Sequence, residues 1–112
     1  MTIFKKIIDK EIPTDILYED DFCIAFNDIN PQAKIHILAI PKMSVTDYND
    51  FISKADNEMI KYFFDKINEI AKKHGLLDGG FRLVTNNGKD ANQEVPHFHI
   101  HILGGENLKG IK

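Results

Sequence analysis

Residues 96–105 read Pro-His-Phe-His-Ile-His-Ile-Leu-Gly-Gly, a strict alternation of histidine with apolar residues that predicts a β-strand. A strand sends successive side chains to opposite faces and rises about 3.3 Å per residue, which sets His97, His99 and His101 on one face at roughly 6.6 Å intervals. Phe98, Ile100 and Ile102 share the other face. That apolar side has to be covered by a second layer, so the segment belongs in a sheet with a packed face. The histidine side is costly to bury, because each ring carries two nitrogens that need partners. Three such rings on one face mark a site.

The rest of the chain supplies the covering layer. Thr2 caps a short predicted helix over residues 3–10, where Ile3, Phe4, Ile7 and Ile8 share a face and Pro13 marks the end. Residues 16–19 and 22–27 flank the acidic turn Asp20-Asp21 as an antiparallel hairpin. A loop at 28–33 precedes a third strand at 35–40, which Pro41 ends. Ser53-Lys54-Ala55-Asp56 has the form of a capping box. From there Ala55, Met59, Phe63, Ile67, Ile70 and Ala71 recur at helical spacing up to a Gly75 cap. His74 in the last turn faces the helix dipole and takes no catalytic role. A fourth strand at 81–86 and a polar loop at 87–92 lead into the histidine strand. This order predicts an α+β fold, with a five-stranded antiparallel sheet and one long and one short helix, in one domain over 1–112.

Composition narrows the partners. Hydrophobic residues at 43% and charged residues at 28% are ordinary for a globular domain. A net charge of −3 gives no general basic surface for a nucleic-acid polymer. Charges interrupt the apolar residues near the amino terminus, and no apolar run reaches membrane-spanning length, so no signal peptide and no membrane partner are expected. The single Cys23 sits in an apolar strand and cannot form an internal disulfide, which fits a reducing, cytoplasmic setting.

Two chemistries suit the histidine face. A zinc ion could take three histidines, or two with a carboxylate such as Glu94. The three Cα atoms of one straight strand face span about 13 Å, too far for a single ion without bending. The other chemistry makes one histidine a nucleophile. A neutral imidazole nitrogen attacks phosphorus well near neutral pH if its other nitrogen donates a hydrogen bond that fixes the tautomer. Neighbouring rings then contact the phosphate oxygens and relay protons.

The run His97-Phe98-His99-Ile100-His101-Ile102-Leu103 resembles the His-x-His-x-His-x-x signature of the histidine triad superfamily. Gly104-Gly105 is similar to its nucleoside phosphoramidate hydrolases rather than to its dinucleoside polyphosphate hydrolases. Residues 26–33, 36–42, 82–88 and 93–95 also resemble blocks of that branch, and the likeness extends from about Ile3 to Gly105. It implies a cofactor-free, metal-independent hydrolase acting on a purine nucleoside phosphoramidate through a nucleotidyl-histidine, releasing AMP or GMP and an amine. His99 would be the nucleophile, His101 the α-phosphate contact, and His97 and His36 a supporting relay. Asp28 and Ile29 would meet the ribose and Asn86 the phosphate end, with Gln93, Glu94 and Val95 as further substrate contacts. A homodimer paired across the sheet edge and long helix is implied too, and the apolar run Tyr62-Phe63-Phe64 suits either that interface or the core. The alternatives are a dinucleoside polyphosphate hydrolase of the same superfamily and a nucleotide-binding or scaffold protein with incidental hydrolysis.

The chain departs from that branch in four places. Glu94 stands where many relatives have a serine able to reach the leaving group, and Pro96 replaces a common aromatic. Pro41-Lys42-Met43-Ser44 lacks the usual histidine of its block. The tail at 106–112 lacks the tryptophan of close animal relatives.

Overall fold

The aspartate of the acidic turn starts the sheet. In the computed structural model, which describes residues 2–110, Asp20 Oδ1 accepts the amides of Phe22 (2.7 Å) and Cys23 (2.9 Å). That closes the hairpin between β1 (Ile16–Glu19) and β2 (Cys23–Asn27). The chain then adds β3 (Ile35–Pro41), β4 (Phe81–Val84) and β5 (Ile100–Gly104). The sheet order is β1-β2-β3-β5-β4 with every neighbouring pair antiparallel. Three α-helices complete the elements: α1 (Ile3–Ile8), α2 (Tyr48–Lys54) and α3 (Asn57–Lys73).

Strand alternation sorts the apolar residues into two layers. Cys23, Ala25, Ile37, Ala39, Ile100 and Ile102 face Phe63, Ile67, Ile70 and Ala71 of α3, with Phe51 and Phe98 filling the same core. Ile24, Phe26, Leu38 and Ile40 point the other way and pack under Phe4 and Ile7 of α1. Each such fully buried side chain contributes about 1.5–3 kcal/mol relative to exposure. The long helix covers its face broadly. With only six residues, α1 covers part of the opposite face and leaves a cleft beside it. The pairing of Leu38 with His101 puts the histidines on that cleft side.

The α+β sheet architecture stands as the sequence predicts, with differences at the helices and strand ends. The helical stretch after residue 46 is two helices, because Ala55 has an extended backbone (ψ 143°) that separates α2 from α3. Each helix has its own aspartate cap: Asp47 accepts from Asp50 N (2.8 Å) and Asp56 from Met59 N (2.8 Å). Ser53 is therefore not the cap of the long helix. It lies in the last turn of α2, where its hydroxyl donates to the Asp50 carbonyl at 3.0 Å. Thr2 caps α1 as expected, but that helix stops at Ile8, and Lys10 adopts a left-handed φ of 64°.

The strand ends move as well. β4 stops at Val84, and the Thr85 hydroxyl donates to the His99 carbonyl at 2.8 Å. β5 begins only at Ile100, so His97, on bent backbone, and His99 both precede the ladder. Phe98 N donates to the Val45 carbonyl, outside the sheet, at 2.9 Å. Phe98 still packs on the α3 side, so the alternation survives the loss of the ladder.

Phe63 is buried in the core, and the Tyr62 hydroxyl donates to Asp20. In the tail, Glu106 accepts the Lys34 amide (2.7 Å) and Arg82 donates to the Lys109 carbonyl (2.8 Å). The expectation for residues 111–112 lies outside the described residues. No described helix is long and apolar enough to cross a membrane.

Candidate functional site

The cleft beside α1 is a cavity of about 600 Å³. Its apolar wall comes from Phe4 and Ile7 of α1, Ile12 beyond it, and Phe26 and Leu38 of the sheet. Its polar side includes His36, His99, His101, Asp28, Asn86 and Glu94. Each histidine is held by a partner that settles where its proton sits.

His99 Nδ1 lies 2.7 Å from the His97 carbonyl. A carbonyl only accepts, so Nδ1 carries the proton and Nε2 keeps its lone pair. The ring stands edge-on to Phe4 with centroids 4.9 Å apart, a contact that limits its rotation. His36 is set the opposite way. Its Nδ1 accepts the Gln32 backbone N–H at 3.0 Å, so its Nε2 is protonated. That Nε2 lies 2.8 Å from His101 Nδ1 and 3.4 Å from Asp28 Oδ2. His101 Nδ1 therefore accepts, and its own Nε2 carries a proton. The rings of His99 and His101 are 5.1 Å apart, one with a lone pair at Nε2 and the other with a donor there.

Burial keeps the four rings neutral. It pushes His99, His97 and His36 below the ordinary value of 6.5, although Asp28 opposes it at His99 and His36 and backbone carbonyls oppose it at His99 and His97. His101 is pushed down to about 4, first by burial and then by His99 and His36 beside it. A neutral ring is what the lone pair on His99 requires, and what lets His101 Nδ1 accept from His36 while its Nε2 donates.

His36, His101 and Asp28 also bring possible ligand atoms within 4.8 Å of one another. Two features make this trio a hydrogen-bond relay. A proton occupies the His36 nitrogen that a metal would need, and the 2.8 Å separation of the two ring nitrogens is shorter than the roughly 3.3 Å that zinc–nitrogen bonds of about 2.0 Å impose at tetrahedral angles.

The other sequence-predicted residues divide. Asp28, Ile29, Asn86, Glu94 and Val95 line the cavity. Asp28 also has the turn role expected of it, since its Oδ1 accepts Asn30 N at 2.8 Å. The Asn86 amide braces the loop by donating to the Ala91 carbonyl at 2.9 Å. Two residues stand outside the lining. His97 is buried and donates from Nε2 to the Pro41 carbonyl at 2.8 Å, so it does not extend the histidine row into the cleft. Bent backbone at residues 95–97 turns it away, and its contribution is the carbonyl that holds His99. Gln93 is the second. Its side chain accepts from Gly88 N (2.9 Å) and donates to the carbonyls of Thr46 (2.7 Å) and Val95 (3.0 Å), which fixes the loop carrying Glu94 and Val95.

Sequence reasoning did not place Phe4, Ile7 and Ile12 at the site, nor the Gln32 amide and the Pro41 carbonyl. The apolar face of α1 was visible, but its alternation reads equally well as ordinary packing. Backbone partners leave no mark in side-chain identity.

The sequence profile of the HIT domain matches residues 9–108. The chain is 50% identical to an uncharacterized HIT-like protein of Rickettsia prowazekii, over 97% of this chain and 91% of that one. It is 43% identical to the purine nucleoside phosphoramidase of Escherichia coli, over 96% and 89%. Among solved structures, a histidine triad protein from Clostridium difficile superposes with a TM-score of 0.87 at 44% identity, covering 98% of this chain and 95% of that one. A HIT family hydrolase from Legionella pneumophila gives a TM-score of 0.89 at 38% identity, covering 96% and 95%.

Proposed function

The chain belongs to the HIT domain family, and on that premise we propose that it hydrolyses the phosphorus–nitrogen bond of a purine nucleoside phosphoramidate. The observation that carries the reading is the pair of opposed tautomers, a lone pair on His99 Nε2 beside a donor on His101 Nε2, at the polar side of an apolar cleft. The purine packs against the wall of Phe4, Ile7, Phe26 and Leu38, which supplies area without demanding a charge. His99 Nε2 attacks phosphorus, the bond to the amine breaks, and its electron pair stays on nitrogen. That nitrogen takes a proton from solvent at the open side and leaves as an amine. His101 Nε2–H donates to a phosphate oxygen, held in that orientation through His36 and Asp28. Water then attacks the nucleotidyl-histidine, the phosphorus–nitrogen bond to His99 breaks with its electron pair returning to Nε2, and a water proton is released.

Charge favours this substrate over a dinucleoside polyphosphate. The described cavity lining holds the carboxylates of Asp28 and Glu94 and neither lysine nor arginine. A phosphoramidate brings one negative charge to that site, and a polyphosphate brings several with nothing cationic to meet them. The 43% identity to a purine nucleoside phosphoramidase supports the same choice. We also propose a two-fold dimer formed along the edge strand β4, where Leu83 is exposed and the outer backbone groups face no neighbouring strand among the described residues. A cytoplasmic setting completes the proposal.

The test is turnover of a fluorogenic adenosine phosphoramidate, with and without EDTA, alongside His99→Ala and a dinucleoside tetraphosphate as second substrate. Phosphoramidate turnover that survives EDTA and disappears in the variant supports the reading. Wild-type binding of AMP without turnover overturns it in favour of a binding protein, and preferred cleavage of the tetraphosphate overturns the bond assignment.

A further inference from the structure

The mechanism leaves one charge of the cavity unused. Asp28 is engaged at both oxygens, by Asn30 N at 2.8 Å and by the His36 ring at 3.4 Å. Glu94 lines the same cavity, is exposed, and has no hydrogen-bonding or ionic partner among the described residues. Three hydrogen bonds of the neighbouring Gln93 side chain brace the loop from which this negative charge projects.

In-line displacement fixes where the leaving group travels. The attacking and departing atoms lie on opposite sides of phosphorus. His99 is buried at the floor, so the departing atom points out of the cleft, toward its exposed rim. We propose that Glu94 is a specificity-determining residue that selects leaving groups by charge, favouring amines with a further positive charge and disfavouring anionic ones. The inference rests on the phosphoramidate reading and deepens it by naming the substrate class. Once released, the neutral amine takes a second proton from solvent and becomes an ammonium, and a carboxylate on its path attracts that cation and any positive charge the leaving group already carries. A departing phosphate or carboxylate-bearing group meets repulsion there. An exposed pair of this kind is modest and screened by salt, so the effect is a preference of a few-fold, strongest at low ionic strength.

Three adenosine phosphoramidates of matched length test this, with amines that end in a distal ammonium, a hydroxyl or a carboxylate. The ratios of their kcat/KM values are measured for wild type, Glu94→Gln and Glu94→Lys at low and high salt. We expect the wild type to favour ammonium over hydroxyl and hydroxyl over carboxylate, by about threefold at each step in low salt. The spread should shrink in high salt, collapse in Glu94→Gln and reverse in Glu94→Lys. A spread unchanged in both variants, or no spread in the wild type, overturns the role of Glu94 and leaves the hydrolase reading intact. No turnover of any of the three overturns both.

Discussion

Acid is the most direct probe of the histidine cluster, because it acts on the protonation that the tautomers require. His101 is held at about 4 against an ordinary 6.5, mainly by burial and then by the adjacent His99 and His36. A displacement of that size is worth about 3 kcal/mol, which partial exposure of the ring reduces to about 2 kcal/mol. The sign follows from which state binds the proton. Between the two values the unfolded chain is protonated at this ring and the folded chain is not, so falling pH favours unfolding. The contribution of His101 is complete above pH 6.5 and is lost as pH falls toward about 4. His101→Gln removes it. Urea unfolding of both proteins from pH 7.5 to 4.5 should show the wild type losing about 2 kcal/mol more than the variant, with most of the difference arising below pH 6.5. The same titration should lower kcat/KM, because a protonated His99 has no lone pair, and the apparent pKa of that fall should lie below 6.5. Parallel stability curves, or a wild type that gains on the variant in acid, would refute the buried neutral assignment.

Three further outcomes are expected. His36→Phe removes the proton donated to His101 and leaves the Gln32 amide unpaired; turnover should fall about a hundredfold with AMP affinity within a few-fold, and an unchanged kcat would remove His36 from the relay. Tyr62→Phe takes one hydroxyl from Asp20, whose carboxyl sits well below its usual range because hydrogen bonds from Tyr18, Tyr62 and the turn amides outweigh its burial. Chemical denaturation should show a loss of about 1 kcal/mol with turnover unaltered, and a change in kcat would mean that the hairpin is linked to the site. Light scattering at micromolar concentration should give twice the chain mass, falling to the monomer in Leu83→Lys, and a monomeric wild type would sink the β4 dimer.

Much of this was legible in the linear chain, because strand alternation and aspartate or glycine punctuation act over a few residues. The split between Phe98, Ile100, Ile102 and the histidines, the Asp20 hairpin and the Gly75 stop are all local consequences of backbone geometry. The break at Ala55 was not legible, since Ser53 and Asp56 are both good caps and only the surrounding packing selects between them. For the site, the sequence by itself determined that His99 and His101 share a face. Whether either ring could react was decided by groups far along the chain: the Gln32 amide on His36, the His36 ring on His101 across 65 residues, and Phe4 against His99. Tertiary structure also took His97 and Gln93 out of the cavity, one to the Pro41 carbonyl and the other into the loop at Gly88. A side chain's identity states which atoms it can offer. Its tautomer and charge depend on the partners and the dielectric around it, and those exist only once distant segments have packed together.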